Sequence, residues 1–291
     1  MKFTAAAVQI APAKGDYRGN VARVAEAIVT AAGEGADLAV FPEASLTGYF
    51  LEGGVADVAG PVSRVVSDIE EQLAGKLNRP VDAVIGFFER SDGNIYNAAA
   101  HIEFGPGKAR LVHVHHKFFL PTYGVFDEER FVSRGRDISA YDTRFGRFAL
   151  LICEDVWHSI TPTIAALKGA LVIVAIAASP ARDFSGDEIG NLATYHKLIT
   201  GISQEHGVWT VNAMLVGFEG GKGFVGGSII ADPYGNIVAK GPVGEEFMLV
   251  SEVDMDLIGI VRERSPMLAD LVSVLEDVTR EIDDVNEATC P

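Results

Sequence analysis

Cysteine is scarce: the 291 residues hold two, Cys153 and Cys290, too few for a framework of disulfides. Long hydrophobic runs are missing too. Even the apolar stretch from Ala170 to Ala178 is cut short by Arg182 and Asp183, far from the roughly 20 residues of a membrane-spanning helix. Positive charge is in deficit, with 24 Lys and Arg against 40 Asp and Glu and a formal net charge of −16. Such a surface repels phosphate backbones and anionic headgroups, so neither nucleic acid nor a membrane is expected as a partner. Met1-Lys2-Phe3-Thr4, followed by Ala5 to Pro12, is too quickly polar for a secretory leader and reads as a first strand, which predicts a cytoplasmic protein. No Pro/Ser-rich linker or low-complexity segment divides the chain, and residues 1–260 are read as one domain.

What is present is a hydrophobic content of 48%, ample for a buried core. Short runs rich in Val, Ile, Leu and Phe alternate with segments of helical period, the pattern of an α/β fold whose helices cover a buried sheet. Strands are predicted at Thr4–Ile10, Leu38–Phe41, Ala83–Glu89, Asn97–Glu103, Leu111–His115, Arg147–Ile152, Leu171–Ala175, Val208–Ala213, Gly227–Ala231, Ile237–Lys240 and Phe247–Val253. Helices are predicted at Asn20–Ala32, Val62–Leu77, Thr161–Lys168 and Ile189–His206, with hairpin turns at Asp92-Gly93 and Tyr234–Asn236. Residues 261–291 form a separate helical tail: Leu268, Leu271, Val272, Leu275 and Val278 keep a helical period, either closing the domain or lying at a dimer interface.

Three segments place a reactive side chain at the end of a predicted strand, where α/β folds gather their sites. In Ala39-Val40-Phe41-Pro42-Glu43, the proline cannot continue a central ladder and Glu43 is presented just past it. In His113-Val114-His115-His116-Lys117-Phe118-Phe119, a lysine among aromatics is placed to stabilise an oxyanion. In Leu150-Leu151-Ile152-Cys153-Glu154-Asp155, a cysteine sits at a strand-to-helix elbow that exposes a nucleophile. Taken singly, each has an ordinary reading: a solvated loop glutamate, a surface lysine, a structural thiol. His113, His115 and His116 suggest zinc, but no Cys or carboxylate stands at ligand spacing, so they read as partly exposed strand histidines and no metal is expected.

Together and in this order, the three segments resemble the nitrilase, or carbon–nitrogen hydrolase, superfamily, whose members carry a Glu-Lys-Cys triad. Phe41-Pro42-Glu43 with Gly48-Tyr49, Lys117 with its apolar flanks, and Ile152-Cys153-Glu154-Asp155 carry the likeness, which extends from Ala6-Ala7-Val8-Gln9 to Asp232-Pro233-Tyr234-Gly235 and Val253-Asp254. Phe126-Asp127-Glu128 matches a second family glutamate, with Glu129 as the alternative. The resemblance implies a four-layer α-β-β-α sandwich, no cofactor, and a homodimer or higher homo-oligomer. It implies Glu43 as general base, Cys153 as nucleophile, Lys117 and the backbone N–H of Glu154 as oxyanion donors, and Glu128 orienting Lys117 or the substrate. Tyr49, Tyr123 and Glu154 are the expected substrate-binding residues.

Glu154-Asp155-Val156-Trp157 and Leu120 to Glu128 are similar to the glutaminase domains of glutamine-dependent NAD synthetases, whereas nitrile-hydrolysing members more often carry Trp-Glu after the cysteine. Only about thirty residues follow Ile260, with no nucleotide-binding glycine loop, so a free-standing amidase acting on a small amide is expected. The alternatives are a nitrile or N-carbamoyl hydrolase, an acyltransferase using the same thioester, and a non-catalytic binding subunit of the same fold.

Overall fold

The first strand, β1 (Lys2–Gln9), is buried on both faces, and its side chains divide by the strand period of two: Phe3, Ala5 and Ala7 join one apolar core, Ala6 and Val8 another. That division sets the layering of the molecule. The structure is a computed structural model describing residues 1–186 and 188–289, so Cys290 lies outside the described residues. After β1 come α1 (Tyr17–Gly33), β2 (Leu38–Val40), α2 (Val55–Val58), α3 (Val62–Leu73), β3 (Val81–Ser91), β4 (Asn94–Phe104) and β5 (Arg110–His116). The second half begins with β6 (Ala140–Thr143), β7 (Gly146–Ile152), α4 (Ile160–Leu167), β8 (Val172–Ala177), the short β9 (Phe184–Ser185) and β10 (Glu188–Ile189), and α5 (Gly190–His206). It closes with β11 (Trp209–Met214), β12 (Val216–Glu219), β13 (Lys222–Val225), β14 (Ile229–Ala231), β15 (Ile237–Lys240), β16 (Phe247–Asp254), α6 (Asp256–Arg264), α7 (Met267–Ser273) and α8 (Leu275–Thr289).

One six-stranded sheet has the order β16-β1-β2-β3-β4-β5, the other β15-β14-β11-β8-β7-β6. In each, the central strand, β2 or β8, pairs in parallel with both neighbours. The sheets pack face to face through Phe3, Val40, Val84 and Ala99 against Phe148, Leu150 and Val211, while α1 and α3 cover the outside of the first and α4 and α5 the outside of the second. This is the four-layer α-β-β-α sandwich. No described helix is long and apolar enough to cross a membrane.

Local chemistry explains where elements start and stop. Asp16 caps α1 by accepting from the N–H of Gly19 at 3.0 Å, and Val21, Val24, Ile28 and Ala31 then recur at helical spacing against the sheet. α5 ends at Gly207, whose φ of +57° terminates it in the left-handed conformation. The helix predicted over Val62–Leu77 stops at Leu73, because Gly75 turns left-handed two residues later. The turn at Asp92-Gly93 joins β3 to β4 with both residues at positive φ. The elements the sequence did not show are α2, β6, the two-residue strands β9 and β10, and the β12–β13 hairpin, where five glycines between residues 217 and 226 mask the strand alternation. The segment expected as one tail helix from Arg262 is instead three. α6 begins at Asp256 and buries Ile258 and Val261, so the last helix of the domain runs across the expected boundary at 260, and Pro266 separates it from α7.

Candidate active site

Glu43 owes its position to a glycine on the neighbouring strand. Phe41 makes the last ladder bond, to Val84, and the chain folds back over β3 with Ala44 at a φ of +54°. A Cβ on Gly86 would stand 2.3 Å from the Pro42 carbonyl oxygen and 2.7 Å from the Ala44 nitrogen, so only glycine permits this approach. The carboxylate is thereby fully buried and held by three donors: Oε1 accepts from Asn97 Nδ2 at 2.7 Å and Lys117 Nζ at 2.8 Å, and Oε2 from the backbone N–H of Ala178 at 2.7 Å.

Lys117 follows β5 and is fully buried, its backbone tied to Asn97 on one side and Gly135 on the other. Nζ donates to Glu43 and, at 2.6 Å, to Glu128 Oε1. Burial alone would lower the ammonium, but the carboxylates of Glu128 and Glu43 outweigh it and hold its pKa well above the usual range. Glu128 lies in a 3-10 turn, while Glu129 points to solvent. Its Oε1 also accepts from the Tyr49 hydroxyl, whereas Oε2 is buried without a partner. Burial, opposed by Lys117 and reinforced by Glu43, pushes the Glu128 carboxyl up to about 7. Tyr49 is itself buried, with its backbone N–H held by Glu219 at 2.8 Å.

Cys153 stands immediately after β7 with a φ of +50°, a left-handed conformation rare for a side chain bearing Cβ and typical of a nucleophile elbow. Burial and then Glu43 push the thiol well above its usual pKa, with Lys117 opposing them. Tyr195, from α5, sets its hydroxyl against the thiol outside normal hydrogen-bond geometry, and its ring meets Trp157 edge-on at 5.5 Å. A thiol held neutral by burial beside the Glu43 carboxyl group and the Lys117 ammonium is suited to attack coupled with proton transfer.

Glu154, next in the turn, accepts from the Tyr123 hydroxyl at 2.9 Å, and Tyr123 is half open to solvent at the mouth of the site. The Arg182 guanidinium lies 6.0 Å from the Tyr123 ring and 5.0 Å from that of Phe126. A cavity of about 340 Å³, walled by Tyr49, Phe50, Phe88, Phe126, Glu128 and Phe131, adjoins the Tyr49–Glu128 pair. The structure thus gathers Glu43, Lys117, Glu128, Tyr49 and Cys153 in one cluster, with Tyr123 and Glu154 at its edge. Asn97, Tyr195, Arg182 and the Ala178 N–H escaped sequence reasoning, because strand asparagines, helix tyrosines and backbone amides carry no local motif. The histidines turn to protein partners: His115 is buried rather than partly exposed, 2.9 Å from Asp155, His116 lies 2.6 Å from Glu89, and His113 stacks on Tyr141. Burial, with the neighbouring histidines, lowers His113 to about 4.

A buried cysteine at an elbow, flanked by a lysine held between two glutamates on this sandwich, defines a class that the comparisons identify: residues 4–263 match the carbon-nitrogen hydrolase family, and the chain belongs to it. It is 30% identical over 268 residues to an (R)-stereoselective amidase of a Pseudomonas species, covering 90% of this chain and 89% of that one. It is 28% identical over 253 residues to the glutamine-dependent NAD(+) synthetase of Thermotoga maritima, covering 85% of this chain and 41% of that one. The chain spans less than half the length of the synthetases it matches. The carbon-nitrogen hydrolase of Helicobacter pylori shares the fold, with a TM-score of 0.81 and 21% identity over 96% of this chain and 99% of that one.

Proposed function

We propose that the protein hydrolyses a carboxylic amide to the acid and ammonia through a thioester on Cys153. The observation that carries this reading is the fully buried Lys117 ammonium, 2.8 Å from Glu43 and 2.6 Å from Glu128, acting on the Cys153 thiol. Glu43 takes the thiol proton as Sγ attacks the carbonyl carbon, and Lys117 with the Glu154 N–H stabilises the oxyanion. The C–N bond breaks, nitrogen leaves as ammonia with the proton from Glu43, and Glu43 then takes a proton from the water that opens the thioester. The acid departs and the thiol is reprotonated. Glu128, with Oε2 unpartnered, accepts from the amide NH2.

On the acyl side, Arg182 and Glu154 set opposite charges around Tyr123, a pairing suited to the carboxylate and ammonium of an amino acid. The matched synthetases are named for glutamine, and a glutamine-like ω-amide is the first substrate to test. The test is ammonia release from a panel of ω-amido acids, aliphatic and aromatic amides, carbamoyl compounds and matched nitriles. Turnover of an amide is the expected result; release from nitriles alone, or from nothing, overturns the proposal.

A further inference from the structure

Asp155 lies two residues after the nucleophile and is fully buried, yet none of the steps above uses it. Its Oδ1 accepts from the backbone N–H of Phe118 at 3.0 Å and of Phe119 at 2.9 Å. Its Oδ2 accepts from the N–H of Ile152 at 3.0 Å and meets His115 Nε2 at 2.9 Å. Four donors match the roughly four lone-pair sites of an ionised carboxylate, and an acceptor-only partner makes Nε2 the protonated nitrogen of His115.

The donors come from two places that matter. Phe118 and Phe119 directly follow Lys117, at the end of β5 in the first sheet, and His115 precedes it by two residues. Ile152 directly precedes Cys153, at the end of β7 in the second sheet. The strained φ of +50° at Cys153 persists only where its surroundings over-determine it, and Asp155 grips the turn from within. One carboxylate therefore ties the cation-bearing strand of one sheet to the nucleophile-bearing strand of the other.

We propose that Asp155 is a positioning residue that fixes Lys117 and Cys153 relative to each other across the two sheets, with His115 orienting its carboxylate. Its rate consequence rests on the amide hydrolysis proposed above; its effect on the thiol does not. Asp155→Asn preserves size but turns an NH2 group towards the N–H groups of Phe118 and Phe119 in one amide orientation and towards that of Ile152 in the other. His115→Phe removes one donor and leaves the three backbone donors in place.

The test compares these variants with wild type, all carrying Cys290→Ser so that Cys153 is the sole thiol. Thermal unfolding, the pH dependence of Cys153 alkylation by iodoacetamide, and kcat and KM are measured. Lys117 lowers the thiol pKa, so its displacement moves the alkylation profile to higher pH in both variants. A misplacement of about 1 Å costs about 10²-fold in kcat for Asp155→Asn and a smaller loss, about tenfold, for His115→Phe, with KM within about threefold. A merely structural residue would lower the melting temperature while leaving the alkylation profile and kcat per reactive thiol unchanged, and that result overturns the proposal. If Asp155→Asn does not fold, His115→Phe decides by the same measurements. If wild type releases ammonia from no amide, the proposed activity fails, while the alkylation profile still tests Asp155.

Discussion

Glu43 Oε1 and Lys117 Nζ meet at 2.8 Å with both side chains wholly withdrawn from solvent. Removing one partner of a buried ion pair leaves the other charge unpaired and costs about 3–5 kcal/mol. Lys117→Ala strands two carboxylates, so its melting temperature falls sharply in calorimetry. The folded fraction should lose about 10²–10³ in kcat, more than it loses in substrate affinity, because the ammonium matters most where the oxyanion develops. A defect confined to KM would move Lys117 to a binding role.

Glu43→Gln keeps the shape of the site and leaves Lys117 paired with Glu128. It removes the proton acceptor of both chemical steps, so acylation and deacylation both become very slow in single-turnover measurements. A variant turning over at near the wild-type rate would place the base elsewhere.

Cys153→Ala abolishes turnover while the protein stays folded, since no thioester can form. In a Cys290→Ser background, timed alkylation of the wild-type thiol should inactivate in parallel with labelling, and substrate should protect. Labelling without inactivation would make Cys153 a structural thiol.

Stability should depend on pH through Glu128, whose carboxyl is raised from 4.5 to about 7 by burial. Below pH 4.5, folded and unfolded chains both hold its proton; between there and about 7 only the folded chain does, so its contribution is lost as pH rises through that window. The melting temperature of wild type relative to Glu128→Gln should therefore fall from pH 4.5 to about 7. A constant difference would mean that Glu128 is ionised throughout.

Ile260 on α6 and Met267 and Val272 on α7 are exposed, beside the helices that cover the second sheet. Sedimentation velocity at micromolar concentration is expected to show at least a dimer. A strict monomer would overturn the homo-oligomer that the family resemblance implies.

Much of the fold was legible because its signals are local. A strand buried on both faces reads as an unbroken apolar run, as at Phe148–Ile152, and a helix on a sheet repeats its apolar residues every three or four positions, as α1 does. Glycine-rich β12 and β13 carry no such alternation, and their pairing shows only when the hairpin closes. In the cluster, Glu43, Lys117 and Cys153 could be singled out from the sequence because each places a reactive group just past the end of a strand.

The sequence by itself determined which groups are available and in what order: a carboxylate after Phe41-Pro42, a lysine among aromatics, a thiol at a strand end. It did not determine their distances, because strands 74 and 110 residues after Glu43 come together only through the packing of two sheets. Tertiary structure alone decided that Gly86 admits the Glu43 loop, that Asn97 and the Ala178 N–H orient its carboxylate, and that Asp155 ties β5 to β7. Periodicity is a property of neighbours along the chain, whereas hydrogen bonds and buried charge pairs belong to neighbours in space.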